Sequence, residues 1–367
     1  MAKKKAIKIG IVGLGRAGWG MHCKELTGRE SKFEIVAGCD LLKPFRDRFQ
    51  EKYPNAKVYK NYEDMLANED IEMISVASRT PEHVEHAIMA MKAGKIVFQE
   101  KPIAVDYKEA QKLAKAKEKY NAEIYIRHNR RFESMFQHIK EIIASGKLGD
   151  VYEIKLRRNG YSRRDDWQTI IECGGGQLLN WGPHIVDHAL RFLDCPVAEM
   201  WSDLNKIAAA GDAEDHLKIV LKGENGRVVD LEISGGSAIS EPEYIVSGTK
   251  GGLSAGGKEI KLKYLSPKKE LKRRVAKKKT LLDGGFGTPD DLKWVEKTIE
   301  VKPKKNMETD FIWDYIYASI RNGKEFPVTL EEALEVMKVI SETRKGTRFN
   351  TYHEKREKNK NSYLRLY

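Results

Sequence analysis

The stretch Gly13-Leu14-Gly15-Arg16-Ala17-Gly18 constrains the fold more than any other part of this 367-residue chain. It directly follows an apolar run, Lys8–Val12, and a helical pattern comes after it. In such a strand-turn-helix unit, glycines allow a tight turn and close approach of the backbone to a pyrophosphate, which the helix N-terminus faces. The pattern therefore predicts a dinucleotide site formed by Gly13, Gly15, Arg16, Ala17 and Gly18.

Asp40 ends the second predicted strand, 22 residues after Gly18. A carboxylate at that position hydrogen-bonds the adenosine ribose and repels a 2′-phosphate, which favours NAD over NADP. Lys43 and Arg46 follow closely and soften this preference. The competing interpretation is a glycine-rich turn in an unrelated α/β protein, with Asp40 as a strand-end cap.

Short apolar runs alternate with helical patterns through residues 6–126, which predicts a doubly wound parallel sheet with helices on both faces. The predicted strands are Ile7–Val12, Phe33–Cys39, Met73–Ala77, Ile96–Phe98 and Ile124–Ile126. The predicted helices include Pro81–Ala93 and Tyr107–Tyr120. We therefore expect an α/β chain whose residues 1–128 form an N-terminal Rossmann domain.

From residue 129 onward, several strands follow one another without helices between them, which predicts an open, mostly antiparallel sheet in a C-terminal α+β domain, 129–346. Its predicted strands are Asp150–Arg158, Leu217–Leu221, Val228–Ser234 and Tyr244–Ser247, after a helix at Phe132–Ser145. The amphipathic segment Leu330–Arg344 predicts a helix that packs back toward the N-terminal domain. Residues 347–367 form a charged tail.

The net charge of +12 and the pI of about 9.2 raise the question of a nucleic-acid partner. The basic residues are concentrated at 258–305 (+9), 344–367 (+6) and 1–8 (+4), and the remaining residues carry −7. The segment 258–305 has strand-like pieces at Glu259–Tyr264 and Lys297–Val301 and no aromatic interleaving, so we interpret it as hairpins and loops and expect no nucleic-acid partner.

The N-terminus has no apolar core of a signal sequence, and no run approaches the ~18 apolar residues of a membrane span. The four cysteines show no CxxC pair, which is typical of reduced thiols. These features predict a cytoplasmic protein without a membrane partner.

Two further motifs carry chemistry. A predicted strand ends in Glu100-Lys101-Pro102, at the sheet edge where ligands bind, and a lysine there can stabilise a substrate alkoxide. The other begins at Gly174-Gly175-Gly176 and places Asn180, His184, Asp187 and His188 at helical spacing. The spacing leaves three roles open for His184: a general base, a metal ligand or a structural histidine. We expect a base and no metal.

The segment Ser162–Trp167 lies just upstream and is rich in hydrogen-bonding groups. Arg164, Asp166 and Trp167 suit the hydroxyls and the flat face of a carbohydrate, although a charged surface loop is the alternative. We expect these three residues to bind substrate.

The motifs together resemble the Gfo/Idh/MocA oxidoreductase family, over about residues 6–346. The resemblance is carried by the glycine loop, by EKP at 100–102, by Asn129-Arg130-Arg131-Phe132 and by GGG…N…H…D from residue 174. It implies NAD(P)-dependent chemistry on sugars or polyols in a homodimer or homotetramer, with Lys101 and His184 as the catalytic lysine and acid/base. The family's usual aspartate is Asn180 here, an amide that can position substrate but cannot stabilise an imidazolium by charge.

Thr80 and Glu100 complete the predicted cofactor site, and Asp187 joins the predicted substrate site. The function expected from the resemblance is oxidation of a secondary ring hydroxyl of a sugar, glycoside or cyclitol by hydride transfer to NAD. Two alternatives remain open: an NAD-dependent glycosidase that acts through transient oxidation, and an NAD-binding paralogue without turnover.

Overall fold

The computed structural model describes residues 5–267, 275–276, 291–303 and 308–358. Six parallel strands form its first sheet in the order β3-β2-β1-β4-β5-β6, which is the doubly wound arrangement predicted from the sequence. These strands are β1 (Ile7–Val12), β2 (Phe33–Cys39), β3 (Lys57–Tyr59), β4 (Met73–Val76), β5 (Ile96–Gln99) and β6 (Ile124–Ile126). Every residue of the central strand β4 is buried, because helices cover both faces.

The helices that connect these strands are α1 (Lys24–Leu26), α2 (Lys43–Lys52), α3 (Tyr62–Leu66), α4 (His83–Lys92) and α5 (Tyr107–Tyr120). A π-helical turn, Gly18–Cys23, leads into α1. Asp106 caps α5 by accepting a 2.8 Å hydrogen bond from the Glu109 amide. The predicted helix 81–93 begins later than expected, because Thr80–Glu82 forms a 3-10 turn. Strand β3, three residues long at the sheet edge, was not predicted from the sequence.

Eight strands form the second sheet in the order β14-β13-β12-β11-β7-β10-β9-β8. They are β7 (Val151–Asn159), β8 (Val197–Asn205), β9 (His216–Gly223), β10 (Val228–Ser234), β11 (Tyr244–Gly248), β12 (Gly251–Gly256), β13 (Glu259–Leu265) and β14 (Trp294–Glu300). Among the described strand pairs of this sheet, only β7–β10 is parallel, so the sheet is mostly antiparallel as predicted. Gly251 and Gly252 do not form a turn, although glycine pairs are common in turns, because both residues pair within β12. Strand β8 was not predicted from the sequence either.

The helices that accompany this sheet are α6 (Ser134–Ala144), α7 (Gln177–Asn180) and α8 (Gly182–Leu193). Helix α8 contacts β7, β9 and β10, so one face of the sheet is covered by a helix that is almost entirely buried. Apolar side chains alternate toward that helix along β9 and β10, and Leu217, Ile219, Val229 and Leu231 are all fully buried. The candidate site forms at the start of α8.

The chain continues through α9 (Ile312–Asn322), α10 (Leu330–Arg344) and α11 (Tyr352–Lys358). Trp313 of α9 returns to the first sheet, where its ring lies 4.7 Å from that of Phe98 and its indole donates a 2.7 Å hydrogen bond to Glu25. Helix α10 contacts both α5 and α8, and it begins at a capping box formed by Thr329 and Glu332. The C-terminal part of the chain thus bridges the helices of both sheets.

Strands β13 and β14 form an antiparallel pair within the basic segment 258–305, and most of the lysine-rich stretch between them lies outside the described residues. Of the charged tail, α11 packs with Tyr352 buried, and residues 359–367 also lie outside the described part. Among the residues that the structure describes, no helix is both long enough and apolar enough to cross a membrane.

Candidate active site

The glycine loop lies between β1 and the first helix, and two of its glycines are required by close contacts. Gly13 has φ +88°, and a Cβ there would come within 2.5 Å of the Ala77 carbonyl oxygen. A Cβ on Gly18 would lie 1.9 Å from the Gly13 carbonyl oxygen. Gly15 instead faces open space, with no atom within 4 Å of a Cβ position. The loop is therefore tightly folded and leaves room beside Gly15 for a pyrophosphate, which fits a dinucleotide.

Asp40 stands at the carboxyl end of β2, next to this loop. Its Oδ2 accepts a 2.8 Å hydrogen bond from the Leu14 amide, and its Oδ1 accepts one of 2.8 Å from the Leu42 amide. Arg46 donates to the Asp40 main-chain carbonyl at 2.8 Å, so a guanidinium lies close to the carboxylate. Backbone contacts thus fix the carboxylate beside the predicted cofactor loop.

The other predicted cofactor residues also lie around the loop. Arg16 extends from it toward the second sheet and donates a 3.1 Å hydrogen bond to Gln168. Thr80 is buried and lies against Gly174, where a Cβ would come within 3.3 Å of the threonine Cβ. The edge of the first sheet and the start of the Gly174–Gly176 stretch are therefore in direct contact.

Glu100 belongs to a buried network and not to an open surface. Its carboxylate binds His22 Nε2 at 2.9 Å and the Lys101 amide at 3.0 Å, and it forms a 3.2 Å ion pair with Arg127. Arg127 in turn pairs with Glu25. Burial alone would raise the pKa of Glu100, but Arg127, His22 and Lys101 together hold that pKa well below its usual range. These contacts fix the backbone that carries Lys101.

Lys101 reaches across from the first sheet, and its Nζ donates a 2.9 Å hydrogen bond to the Asn180 main-chain carbonyl. Burial lowers the pKa of Lys101 to about 8, a shift that Glu100 opposes and that Arg127, Arg130 and Arg16 reinforce. A lysine with such a pKa can donate a proton or share a hydrogen bond near neutral pH.

A break between α7 and α8 makes the Asn180 carbonyl available. The His184 amide bonds to the Trp181 carbonyl, so Asn180 has no helical partner at position 184. Pro183 follows Gly182 at the start of α8 and has no amide hydrogen to continue the ladder. Asn180 therefore ends α7 and His184 lies in the first turn of α8, with only Trp181 between the two helices.

His184 is 7% exposed, and its Nδ1 is buried with no hydrogen-bond partner among the described residues. Burial is the largest cause that holds the pKa of His184 well below its ordinary value, and the positive charges of Lys101 and Arg130 and nearby His128 add to it. The imidazole is therefore neutral at physiological pH and can accept a proton. Within the described ranges, no group of three or more His, Cys, Asp or Glu side chains is arranged around a metal position.

Gln168, which was not among the predicted site residues, links the predicted parts of the site. Its Oε1 accepts hydrogen bonds from Arg16 at 3.1 Å and from Arg164 at 2.6 Å. Its Nε2 donates to Asn180 Oδ1 at 3.3 Å. The side-chain amide of Gln168 thus connects the glycine loop, the predicted substrate loop and Asn180. No local pattern marks this role, because Arg16 is 152 residues away in the sequence.

The three predicted substrate residues of the loop lie beside this amide. Arg164 pairs with Asp166 at 2.5 Å, and Asp166 also accepts a hydrogen bond of 3.2 Å from the main-chain N–H of Gln168. Trp167 is half-buried, and the guanidinium of Arg79 lies 5.8 Å from its ring. Arg164 and Asp166 are therefore tied to the site, and Trp167 stands at its edge.

Asp187 does not face substrate, contrary to the sequence-based expectation. It is 1% exposed, and its two oxygens bind Arg131 at 2.6 and 2.7 Å. Arg131 also pairs with Glu332 at the start of α10. A carboxylate with both oxygens taken by a buried guanidinium serves to hold α8 to its neighbours. The prediction failed because Arg131 lies 56 residues away in the sequence.

Comparison with known proteins agrees with this geometry. The model of the oxidoreductase family GFO_IDH_MocA, described as an NAD-binding Rossmann fold, matches residues 7–128. The model of the GFO/IDH/MocA C-terminal domain matches residues 136–254. The glycine loop therefore lies in a domain that binds NAD(P).

The chain is similar to the scyllo-inositol 2-dehydrogenase (NADP(+)) IolW of Bacillus subtilis, at 26% identity over 353 residues, 92% of this chain and 93% of that protein. An inositol 2-dehydrogenase of Salmonella typhimurium is 31% identical over 165 residues, 44% of this chain and 49% of that protein. The solved structure of an NAD-binding protein from Listeria innocua has a TM-score of 0.78 at 24% identity and covers 95% of this chain and 99% of that one. The last similarity shows the fold.

Proposed function

Because the chain belongs to the Gfo/Idh/MocA family of oxidoreductases, we propose that it oxidises a secondary ring hydroxyl of a sugar, glycoside or cyclitol with NAD(P). The observation that carries this proposal is the 2.9 Å hydrogen bond from Lys101 Nζ to Asn180, one turn of chain before His184. This hydrogen bond ties Lys101 to the turn that precedes His184, which supports a lysine and an imidazole acting together at the edge of the sheet where the glycine loop lies.

The two side chains have different tasks. The neutral imidazole of His184 takes the hydroxyl proton, because its low pKa keeps it unprotonated. The ammonium of Lys101 stabilises the negative charge that develops on the substrate oxygen. Asn180 positions the substrate through its amide, which Gln168 holds. When bound, the nicotinamide accepts the hydride.

The relatives support a cyclic polyol as the substrate class. Two of them are named as dehydrogenases of inositols, whose ring carbons carry secondary hydroxyls. The loop with Arg164, Asp166 and Trp167 adds hydrogen-bonding groups and an aromatic face beside Asn180, which suits a hydroxylated ring.

We propose NAD as the preferred cofactor, because Asp40 presents a carboxylate where NADP would bring its 2′-phosphate. We also propose a cytoplasmic homodimer or homotetramer. The four free cysteines support a reducing compartment. The face of the second sheet opposite α8 supports self-association, since it exposes Trp201 on β8 and carries cross-strand pairs such as Arg157–Asp230.

The test is turnover. The purified protein is incubated with NAD or NADP and a panel of inositols, sugars and glycosides, and reduced cofactor is followed by absorbance. Lys101→Ala and His184→Ala should each lower kcat by about 10²- to 10⁴-fold, while Lys140→Ala on the surface of α6 should not. Equal activity of all three variants would refute the assignment. Aglycone release without net reduced cofactor would indicate the glycosidase instead, and cofactor binding without any turnover would indicate the non-catalytic paralogue.

A further inference from the structure

Trp181 stands at the break between α7 and α8 and is covered by two arginines. The guanidinium carbons of Arg130 and Arg158 each lie 4.3 Å from its ring, and the ring of His184 lies 5.9 Å from it. Arg130 comes from the 3-10 turn Asn129–Phe132, and Arg158 comes from the end of β7. Three separate segments therefore bring two guanidiniums and an indole together beside the proposed base.

Each of the two arginines is held by one carboxylate, which leaves some of its N–H donors without a protein partner in the described part of the chain. Arg130 pairs with Glu133, and Arg158 pairs with Glu243 at 3.0 Å. A guanidinium has five N–H donors, of which one carboxylate takes at most two in a bidentate pair. The Nε of Arg158 is buried without a hydrogen-bond partner among the described residues, and both side chains remain more than a quarter exposed. Donors are therefore left for a ligand.

The charge of Arg130 also reaches the proposed catalytic groups. Burial is the main cause of the lowered pKa of Lys101 and of His184, and the positive charge of Arg130 adds to both shifts. Arg130 and His184 also contact one and the same side chain, Trp181. His188 Nε2 donates a 3.0 Å hydrogen bond to the Arg130 carbonyl and so fixes its backbone.

We propose that Arg130 and Arg158, stacked on Trp181, form a subsite for an anionic group of the substrate, next to the hydroxyl that His184 deprotonates. The inference rests on the proposed function and narrows its substrate class to hydroxylated rings or chains that carry a carboxylate or a phosphate. Planar guanidiniums match the geometry of both anions, and stacking on the indole keeps their planes in place. A neutral polyol brings no charge to pair with these guanidiniums.

The test compares matched substrates. The ratio of kcat/KM for glucuronate to that for glucose is measured with the preferred cofactor, and glucose 6-phosphate to glucose gives the phosphate ratio. We expect at least one ratio above one in the wild type and a fall of about 10- to 100-fold in Arg158→Gln and in Arg130→Gln. The control is Lys155→Gln, which removes a charge from the opposite face of β7 and should leave both ratios unchanged.

The outcomes separate this inference from the proposed function. Turnover of glucose with no preference for either anion, or ratios that stay constant in both arginine variants, would overturn the subsite alone. A purely structural stack would lower kcat/KM for charged and neutral members equally. If no compound reduces the cofactor, the proposed function fails. The subsite is then tested by calorimetric binding of glucuronate and glucose 6-phosphate with NADH present. Binding weakened about tenfold or more by Arg158→Gln supports the subsite, and absent or unchanged binding refutes it.

Discussion

The main-chain carbonyl of Asn180 accepts the hydrogen bond from Lys101 Nζ, while the Asn180 side chain bonds to Gln168. The backbone of this residue therefore serves the lysine, and its amide is free to be changed without breaking that contact. Substitutions of the Asn180 side chain can thus change the charge near His184 while the hydrogen bond to Lys101 is kept.

Asn180→Asp should raise the pKa of His184, because a carboxylate one turn away stabilises the imidazolium. The acid limb of the kcat/KM profile then moves upward by about one pH unit. Asn180→Ala provides the uncharged control and should leave the limb in place while weakening substrate binding. Superimposable profiles for the Asn180→Asp variant and the wild-type enzyme would show that the side chain does not act on the imidazole.

The wild-type enzyme should be active over a plateau that ends near pH 8. The pKa of Lys101 is lowered to about 8, so its cationic form is lost as pH rises through that value and the alkoxide loses its stabilising charge. The low pKa of His184 keeps the base neutral through pH 6.5, so no loss is expected there. The measurement is kcat/KM for hydroxyl oxidation from pH 5 to 10, and a basic limb near the ordinary lysine pKa of 10.5 would contradict this account.

Asp40→Ser should shift the cofactor preference toward NADP. Removal of the carboxylate ends its repulsion of a 2′-phosphate, and Arg46 is already close by. We expect the ratio of kcat/KM for NADP to that for NAD to rise about tenfold, equivalent to about 1.4 kcal/mol. Asp47→Ser on the exposed side of α2 is the control, and a ratio that responds equally to both changes would speak against a specific role of Asp40.

Asp187→Asn should destabilise the fold by about 3 kcal/mol, the low end for breaking a buried ion pair, since Arg131 loses its bidentate partner and keeps only the pair with Glu332. Glu335→Gln breaks a half-exposed pair with Arg191 and should cost less than about 1 kcal/mol. Denaturant unfolding measures both. A stable Asp187→Asn protein whose substrate KM has risen more than tenfold would restore the substrate-binding role that the structure denies.

The sequence was sufficient for features that depend on neighbours along the chain. The strands Ile7–Val12, Phe33–Cys39 and Ile124–Ile126 have the predicted bounds, because continuous apolar runs form the buried strands of a parallel sheet. The sequence was insufficient where strand pairing decides the local structure. A glycine pair such as Gly251-Gly252 is common in turns, but here it belongs to β12, because β11 and β13 pair with it on either side.

The same limit applies to the site. The motifs locate Lys101 and His184, but Gln168 is recognised only through partners such as Arg16, 152 residues away. Asp187 has the spacing of a functional carboxylate, and only the position of Arg131 shows that it is structural. Local motifs identify chemically capable residues, and long-range contacts assign their tasks.

The network beneath Lys101 has a consequence for the order in which the protein matures. Glu100 pairs with Arg127, Arg127 with Glu25, and Glu25 with the indole of Trp313. A nascent chain that has completed its first sheet still lacks Trp313, so the support of the lysine is unfinished until more than four-fifths of the protein has been synthesised.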